Sequence, residues 1–86
     1  MITEEKIYAE ISRVLREEVL FTGTVDRQHS LRTAGLDSIQ MMQLFVYLEE
    51  AFGFEFGAEV TVETVWDVPL DAFVRDVEAV AREAGR

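Results

Sequence analysis

Residues 35–53, GLDSIQMMQLFVYLEEAFG, decide the fold of this chain. They follow a long segment without hydrophobic periodicity, and their apolar residues recur at the spacing of an amphipathic helix. The pattern predicts a helix over residues 38–52 that ends at Gly53, because glycine is favoured at the C′ position. The residues predicted to face the core on this helix are Ile39, Met42, Leu44, Phe45, Leu48 and Phe52.

Ser38 places one hydroxyl at the start of this helix. A serine nucleophile in an enzyme needs a neighbouring base, and the only histidine of the chain is His29, in the preceding segment. We interpret His29 as a solvated loop side chain. The pattern is typical of a serine that another protein modifies, so it predicts no catalytic residue and excludes a hydrolase or transferase.

A first helix is predicted over residues 4–20. Thr3 is a favoured N-cap residue, and apolar residues recur at helical spacing until Gly23 stops the pattern. Residues 21–36 show no sustained period and form a long loop between the first two main helices. A loop of this length in a compact domain is more often functional than idle.

The last third of the chain is divided by Pro69. Because proline disfavours helix at the preceding residue, the sequence predicts a short helix over residues 61–66 and a final helix over residues 69–84. Apolar residues alternate with other residues within 54–56 and 60–62, which is the period of a strand. Two short strands there are the alternative. The predicted fold class is all-α, a small four-helix bundle with three main helices and one short helix.

The length of 86 residues and the hydrophobic content of 49% predict a single domain, residues 1–86, with one modest core. No long apolar seam is left over once the four helices pack, which predicts a monomer. The chain has no cysteine, so disulfides and thiolate metal sites are excluded, and no other metal site is predicted. No signal peptide or membrane-spanning run is present in the sequence, and we expect a cytoplasmic protein.

The net charge of −9 is concentrated in the middle of the chain. Between Arg32 and Arg75 there are eight acidic residues and no lysine or arginine, whereas the two ends together carry nine acids and eight bases. Such a field repels nucleic acid and anionic membranes. It favours basic protein partners near Ser38.

These features together resemble the acyl carrier proteins and the related peptidyl carrier domains. The likeness covers nearly the whole chain and is carried by the helix order, the long first loop, the run Gly35-Leu36-Asp37-Ser38-Ile39 and the helix end LEEAFG at residues 48–53. It implies that a phosphopantetheinyl transferase attaches 4′-phosphopantetheine from coenzyme A to Ser38, and that the terminal thiol of this arm carries thioesters. It also implies a carrier that is not an enzyme, served by acyl-loading and acyl-transfer enzymes such as a ligase, an acyltransferase, a ketosynthase or a condensation-type enzyme.

The residues around Ser38 form the predicted cofactor-binding site, and most have a structural alternative. Asp37 is expected either to cap the helix together with Gln40 or to approach the transferase's magnesium ion or a basic partner side chain. Gly35 is expected to permit a positive φ or a close backbone approach. Leu36 is either a core plug or part of a rim that faces partners, and we favour the rim. Ile39 completes the site.

The predicted partner-binding residues lie on the solvent side of the second main helix and are Gln43, Val46, Tyr47, Glu49 and Glu50. Carriers of fatty-acid synthesis tend to place acids early in this helix, where this chain has Gln40 and Gln43. This difference favours a polyketide, nonribosomal peptide or hybrid pathway over a fatty-acid synthase. The alternatives are a fatty-acid-synthesis carrier and an acidic helical interaction module that is never modified.

Trp66 has two interpretations. It is either an anchor of the short third helix or, together with Met42, Phe45 and Phe73, part of a cavity that holds a carried acyl chain.

Overall fold

The computed structural model describes residues 2–85, so Met1 and Arg86, the ends of the predicted domain, lie outside the described residues. The helices are α1 (Glu4–Glu17), α2 (Leu31–Ala34), α3 (Ser38–Phe52), α4 (Val62–Val65) and α5 (Leu70–Glu83). The described part of the chain has no strand and only one isolated bridge, between Ser30 and Pro69. The all-α fold class with three main helices is confirmed, and the alternative of two short strands is wrong.

Helix α1 begins as predicted but ends three residues early. Thr3 caps it, because its Oγ1 accepts a hydrogen bond of 3.3 Å from the backbone N–H of Lys6. The end is set by Leu20, which adopts a left-handed φ of 59°. The following N–H of Phe21 turns back to donate to the carbonyl oxygen of Leu15 at 2.7 Å, and the helix cannot continue.

Helix α3 has the predicted bounds, and Gly53 caps it with a φ of 70°. Ile39 and Met42 were predicted to face the core, and this prediction was wrong. Their side chains are 66% and 60% exposed. Met41 is fully buried instead. The reason is that α3 carries two apolar stripes, and tertiary packing buries only the one that contains Met41.

Helices α4 and α5 lie where Pro69 divides the chain, within one or two residues of the predicted bounds. Thr61 caps α4 through a reciprocal pair with Thr64. The apolar stripe of α5 is buried at Leu70, Phe73, Val74, Val77 and Ala81 and partly buried at Val80.

Helix α2 was not predicted, because a helix of four residues is too short to show a period. Ser30 caps it by accepting a 3.0 Å hydrogen bond from the N–H of Thr33. The N–H of Arg32 donates to the carbonyl of Trp66 at 3.0 Å, and the N–H of Leu70 donates to the carbonyl of His29 at 2.9 Å. The second half of the long loop is thereby fixed to the junction between α4 and α5.

The core lies between α1, α3 and α5, and α1 packs against both of the others. Phe73 of α5 is fully buried, and its ring stacks on Phe45 of α3 with 5.6 Å between the ring centroids. Phe56, in the link after α3, packs on Phe45 at 4.5 Å. This aromatic cluster holds the middle of α3 against α5. No helix within residues 2–85 is long and apolar enough to cross a membrane.

Candidate functional site

The turn that leads into α3 is built around Gly35 and Leu36. Gly35 has a φ of 109°, which confirms the predicted positive φ and which glycine adopts without the steric cost of a side chain. Its N–H closes α2 by donating to the carbonyl of Arg32 at 3.0 Å. The N–H of Leu36 donates to the carbonyl of Leu31 at 3.1 Å. The chain therefore leaves α2 and enters α3 through a closely hydrogen-bonded turn.

Leu36 is only 2% exposed, so the favoured expectation of a partner-facing rim was wrong and the core-plug alternative is confirmed. The Leu36 side chain belongs to the hydrophobic core, and its backbone carbonyl has a partner distant in sequence. The indole Nε1–H of Trp66 donates a 2.9 Å hydrogen bond to the carbonyl of Leu36, next to Asp37. Trp66 thus fixes the short helix α4 to the start of α3, as its anchor interpretation predicts.

Asp37 and Gln40 form the predicted capping box. The Oδ1 atom of Asp37 accepts a 2.8 Å hydrogen bond from the N–H of Gln40, and the Oε1 atom of Gln40 accepts a 3.0 Å bond from the N–H of Asp37. Two of the N–H groups left over at a helix start are satisfied in this way. The direction of α3 at its first turn is fixed as a result.

Ser38 is the first residue of α3, and its side chain is exposed. Among residues 2–85 its hydroxyl has no hydrogen-bond partner, since the capping role belongs to Asp37. His29, the single histidine, is also exposed, and its Nδ1 lies 3.5 Å from Asp26 Oδ1. Within residues 2–85 no side chain is hydrogen-bonded to the Ser38 hydroxyl, as the general base of a serine nucleophile would be.

An open groove of about 520 Å³ adjoins Ser38. Its lining consists of Ser38, Met42, Thr61, Val62, Glu63 and Trp66. Of the four residues predicted to form an acyl cavity, Met42 and Trp66 are brought together here, whereas Phe45 and Phe73 stack on each other elsewhere. In the part of the chain that the structure describes, no group of three or more acidic, histidine or cysteine side chains could hold a metal ion.

A family model described as "Phosphopantetheine attachment site" matches residues 5–69, which include Ser38, α2 to α4 and all of α1 except Glu4. The chain belongs to this family of carrier proteins. A carrier of this family is not catalytic, its prosthetic group is 4′-phosphopantetheine, and its partners are a phosphopantetheinyl transferase and acyl-processing enzymes. No curated protein and no solved structure gives a significant match to the chain.

The residues of this carrier fit the prosthetic group. The exposed and unbonded hydroxyl of Ser38 would give the phosphodiester an attachment point that a transferase can reach. The N-terminal end of a helix favours an anion such as a phosphodiester, by roughly 0.3–1 kcal/mol. The largely apolar groove next to Ser38 leaves space for the arm to lie along the surface.

Four of the five predicted partner-binding residues of the carrier lie together. Gln43, Val46, Tyr47 and Glu50 line a shallow groove of about 440 Å³ on the outer side of α3. Glu49 has a separate structural contact, because its Oε2 accepts a 2.8 Å hydrogen bond from the N–H of Phe56.

Two residues that the sequence reasoning did not assign to the partner surface complete this groove. They are Ile39 and Met42, which are exposed next to the half-exposed Val46. The spacing i, i+3, i+7 of these three residues was the available signal, since it places them on one side of a helix. We call this set, Ile39, Met42, Gln43, Val46, Tyr47 and Glu50, the outer face of α3.

Replacing Asp37 by alanine is expected to lower the free energy of unfolding by about 0.5–2 kcal/mol, because it removes the acceptor of the capping box. Asp37→Asn retains a side-chain oxygen and is expected to lose only a few tenths of a kcal/mol. Urea denaturation followed by circular dichroism measures both values. An alanine variant as stable as the parent would contradict the capping role.

The same two variants separate capping from a role of the carboxylate in the transfer reaction. If the charge of Asp37 serves only the fold, Asp37→Asn should be modified by the transferase at the parent rate. A stable Asp37→Asn variant that is modified at least tenfold more slowly would instead indicate contact with the magnesium ion or with a basic side chain of the transferase.

Proposed function

We propose that 4′-phosphopantetheine is attached to Ser38 and that the chain shuttles thioester-bound acyl or aminoacyl intermediates between the enzymes of a polyketide, nonribosomal peptide or hybrid pathway. The observation that carries the proposal is the exposed, unbonded hydroxyl of Ser38 at the capped start of α3, within the span that the family model matches. The chain would act as one monomeric domain, together with its partner enzymes in the cytoplasm.

The roles of the surrounding residues follow from their contacts. Asp37 and Gln40 fix the first turn of α3, so that the Ser38 hydroxyl is held at the protruding end. The buried side chain of Leu36 and the positive φ of Gly35 fix the turn before Ser38. Ile39 flanks the attachment point as an exposed apolar side chain. The arm itself supplies a thiol that carries acyl groups as thioesters. Because no side chain of residues 2–85 is hydrogen-bonded to the Ser38 hydroxyl, we assign the removal of its proton to a group of the transferase.

The outer face of α3 supports the choice of pathway. Ile39, Met42 and Val46 are between 52% and 66% exposed, and Gln43 between them is uncharged. The first acids of α3 are Glu49 and Glu50, near its end. A partner that docks here would gain more from an apolar surface than from a basic one, since exposed glutamines cannot form ion pairs. The outer face of α3 therefore favours partner enzymes of a dedicated pathway over fatty-acid enzymes, which are expected to dock through basic patches.

The test of the modification is the intact mass of the purified chain before and after incubation with coenzyme A, magnesium and a broad-specificity phosphopantetheinyl transferase. The expected result is a gain of one phosphopantetheine, located on the peptide that contains Ser38. No gain in a folded sample would overturn the proposal and favour the unmodified interaction module.

The choice of pathway has its own test, in which a fatty-acid ketosynthase is offered the acyl-loaded carrier. Elongation is expected to be at least tenfold slower than with a fatty-acid carrier, because ion pairs at the interface are missing. Gln40→Glu/Gln43→Glu, which retains a capping-box acceptor at position 40, should recover part of the rate. Gln28→Glu adds the same type of charge in the loop and should not. If the ketosynthase elongates the unsubstituted chain as fast as a fatty-acid carrier, the result would indicate the fatty-acid alternative.

A further inference from the structure

A third groove lies at the C-terminal end of α1 and shares no lining residue with the outer face of α3. It has a volume of about 510 Å³ and is lined chiefly by Leu15, Arg16, Leu20, Phe21 and Val25. Leu15 forms its buried floor, whereas Leu20 and Arg16 are exposed on its rim. The groove combines apolar surface with one cation, and neither the modification of Ser38 nor the fold of α1 requires that combination.

Leu20 is the clearest sign that this surface has a partner. It is 72% exposed, the most exposed large hydrophobic side chain of residues 2–85. Its φ of 59° is one that glycine adopts at much lower cost, and glycine occupies the comparable helix ends at Gly35 and Gly53. A leucine at this position therefore carries a conformational cost and is presented to solvent, which does not stabilise the isolated chain.

The groove adjoins the turn that precedes Ser38. A Cβ atom at Gly23 would lie 2.6 Å from the Phe21 ring, so Gly23 allows the ring to fold over the loop. The same ring lies 3.9 Å from the position that a Cβ atom would take at Gly35. Gly35 is three residues before Ser38. The groove therefore reaches the turn that leads to Ser38, and none of its lining residues belongs to the outer face of α3.

The positive charge of Arg16 in the groove favours an acidic partner. Arg16 is exposed and forms no ion pair within residues 2–85. The neighbouring acids Glu17 and Glu18 lie 3.6 Å from Arg13 and are engaged with it. A carboxylate that approaches Arg16 therefore meets a free guanidinium, which also suits bidentate pairing. The groove therefore favours an acidic partner, whereas the strongly acidic middle of the chain favours basic ones.

We propose that this groove is a second docking surface, which binds an acidic amphipathic helix of a carrier-processing enzyme. Such a helix would pack an apolar side chain against Leu20 and Phe21 and direct a carboxylate at Arg16. The identity of the partner as a processing enzyme rests on the proposed carrier function. The chemistry of the groove does not depend on it.

The experiment titrates the ¹⁵N-labelled full chain with a helical peptide that has one leucine stripe flanked by glutamates, and with a control peptide that has lysines in their place. The glutamate peptide should shift the amide signals of residues 15–25. Leu20→Gly, which suits the left-handed backbone and should fold normally, and Arg16→Gln should each raise the Kd by about fivefold or more. Arg75→Gln removes an exposed cation of α5 and should change the Kd less than about twofold.

Three results would overturn the proposal: shifts confined to other residues, equal binding of the lysine peptide to residues 15–25, or concentration-dependent shifts of these residues without peptide. The last would mean that a second copy of the chain covers the groove. Leu20→Gly and Arg16→Gln should still gain one phosphopantetheine, so that a failure of this test is distinguishable from a failure of the proposed modification at Ser38.

Discussion

Ser38→Ala is expected to lose the phosphopantetheine mass gain completely and to keep the parent fold. The change removes a single oxygen atom, which is the only atom through which the phosphodiester can form at this position. Asp37 and Gln40 cap α3, and the Ser38 hydroxyl is exposed without a hydrogen bond to residues 2–85. The free energy of unfolding should therefore change by less than about 0.5 kcal/mol. Intact-mass spectrometry and urea denaturation of the same sample give both values.

Ser12→Ala is the matched control for this substitution. Ser12 is also an exposed serine, but it lies inside α1 rather than at a helix start. This variant should gain the full mass of the prosthetic group. A Ser38→Ala variant that still gains that mass would show that another residue is modified, and the assignment of Ser38 would be wrong.

The start of α3 could be predicted from the sequence because its determinants are local. An N-cap residue, its partner three positions later and a glycine at the far end act through hydrogen bonds within one turn of helix. The bounds of α3 and the capping box of Asp37 and Gln40 were predicted on these grounds, and the positive φ of Gly35 was predicted from its lack of a side chain. The structure confirms all three.

The features that could not be predicted depend on contacts between distant residues. Leu36 is buried in the core, and its backbone carbonyl accepts a hydrogen bond from Trp66, 30 positions away. Met41 rather than Met42 faces the core because α1 and α5 bury only one of the two apolar stripes of α3. Periodicity indicates that a helix is apolar on a given stripe, but two adjacent methionines give no signal that chooses between the stripes.

This second apolar stripe connects the fold with the proposed function. Burial of the stripe that contains Met41 leaves Ile39, Met42 and Val46 exposed, beginning one residue after Ser38. Met42 lies both on the outer face of α3 and in the groove beside Ser38, so the proposed partner surface is continuous with that groove. Methionine adapts to differently shaped apolar surfaces, which suits a carrier that meets several enzymes.

The largest expected loss of stability comes from Phe73→Ala. Phe73 is fully buried, stacks on Phe45 at 5.6 Å and lies 6.4 Å from Phe56 between ring centroids. Truncating a buried phenylalanine costs about 3–5 kcal/mol, which is a large part of the 5–15 kcal/mol typical of a whole domain. We expect a urea midpoint much lower than that of the parent, with a measurable unfolded fraction in buffer.

The loss should also reach the site, because Phe45 belongs to the helix that begins at Ser38. Modification by the transferase should fall in proportion to the folded fraction, whereas Phe73→Leu, which leaves a smaller cavity, should lose about 1–2 kcal/mol and be modified normally. Parallel urea denaturation and intact-mass time courses on both variants measure this. A Phe73→Ala variant destabilised by less than about 1 kcal/mol would mean that the aromatic cluster does not hold α3 against α5, and the support of the Ser38 end would then come from local contacts, the capping box and the Trp66 hydrogen bond.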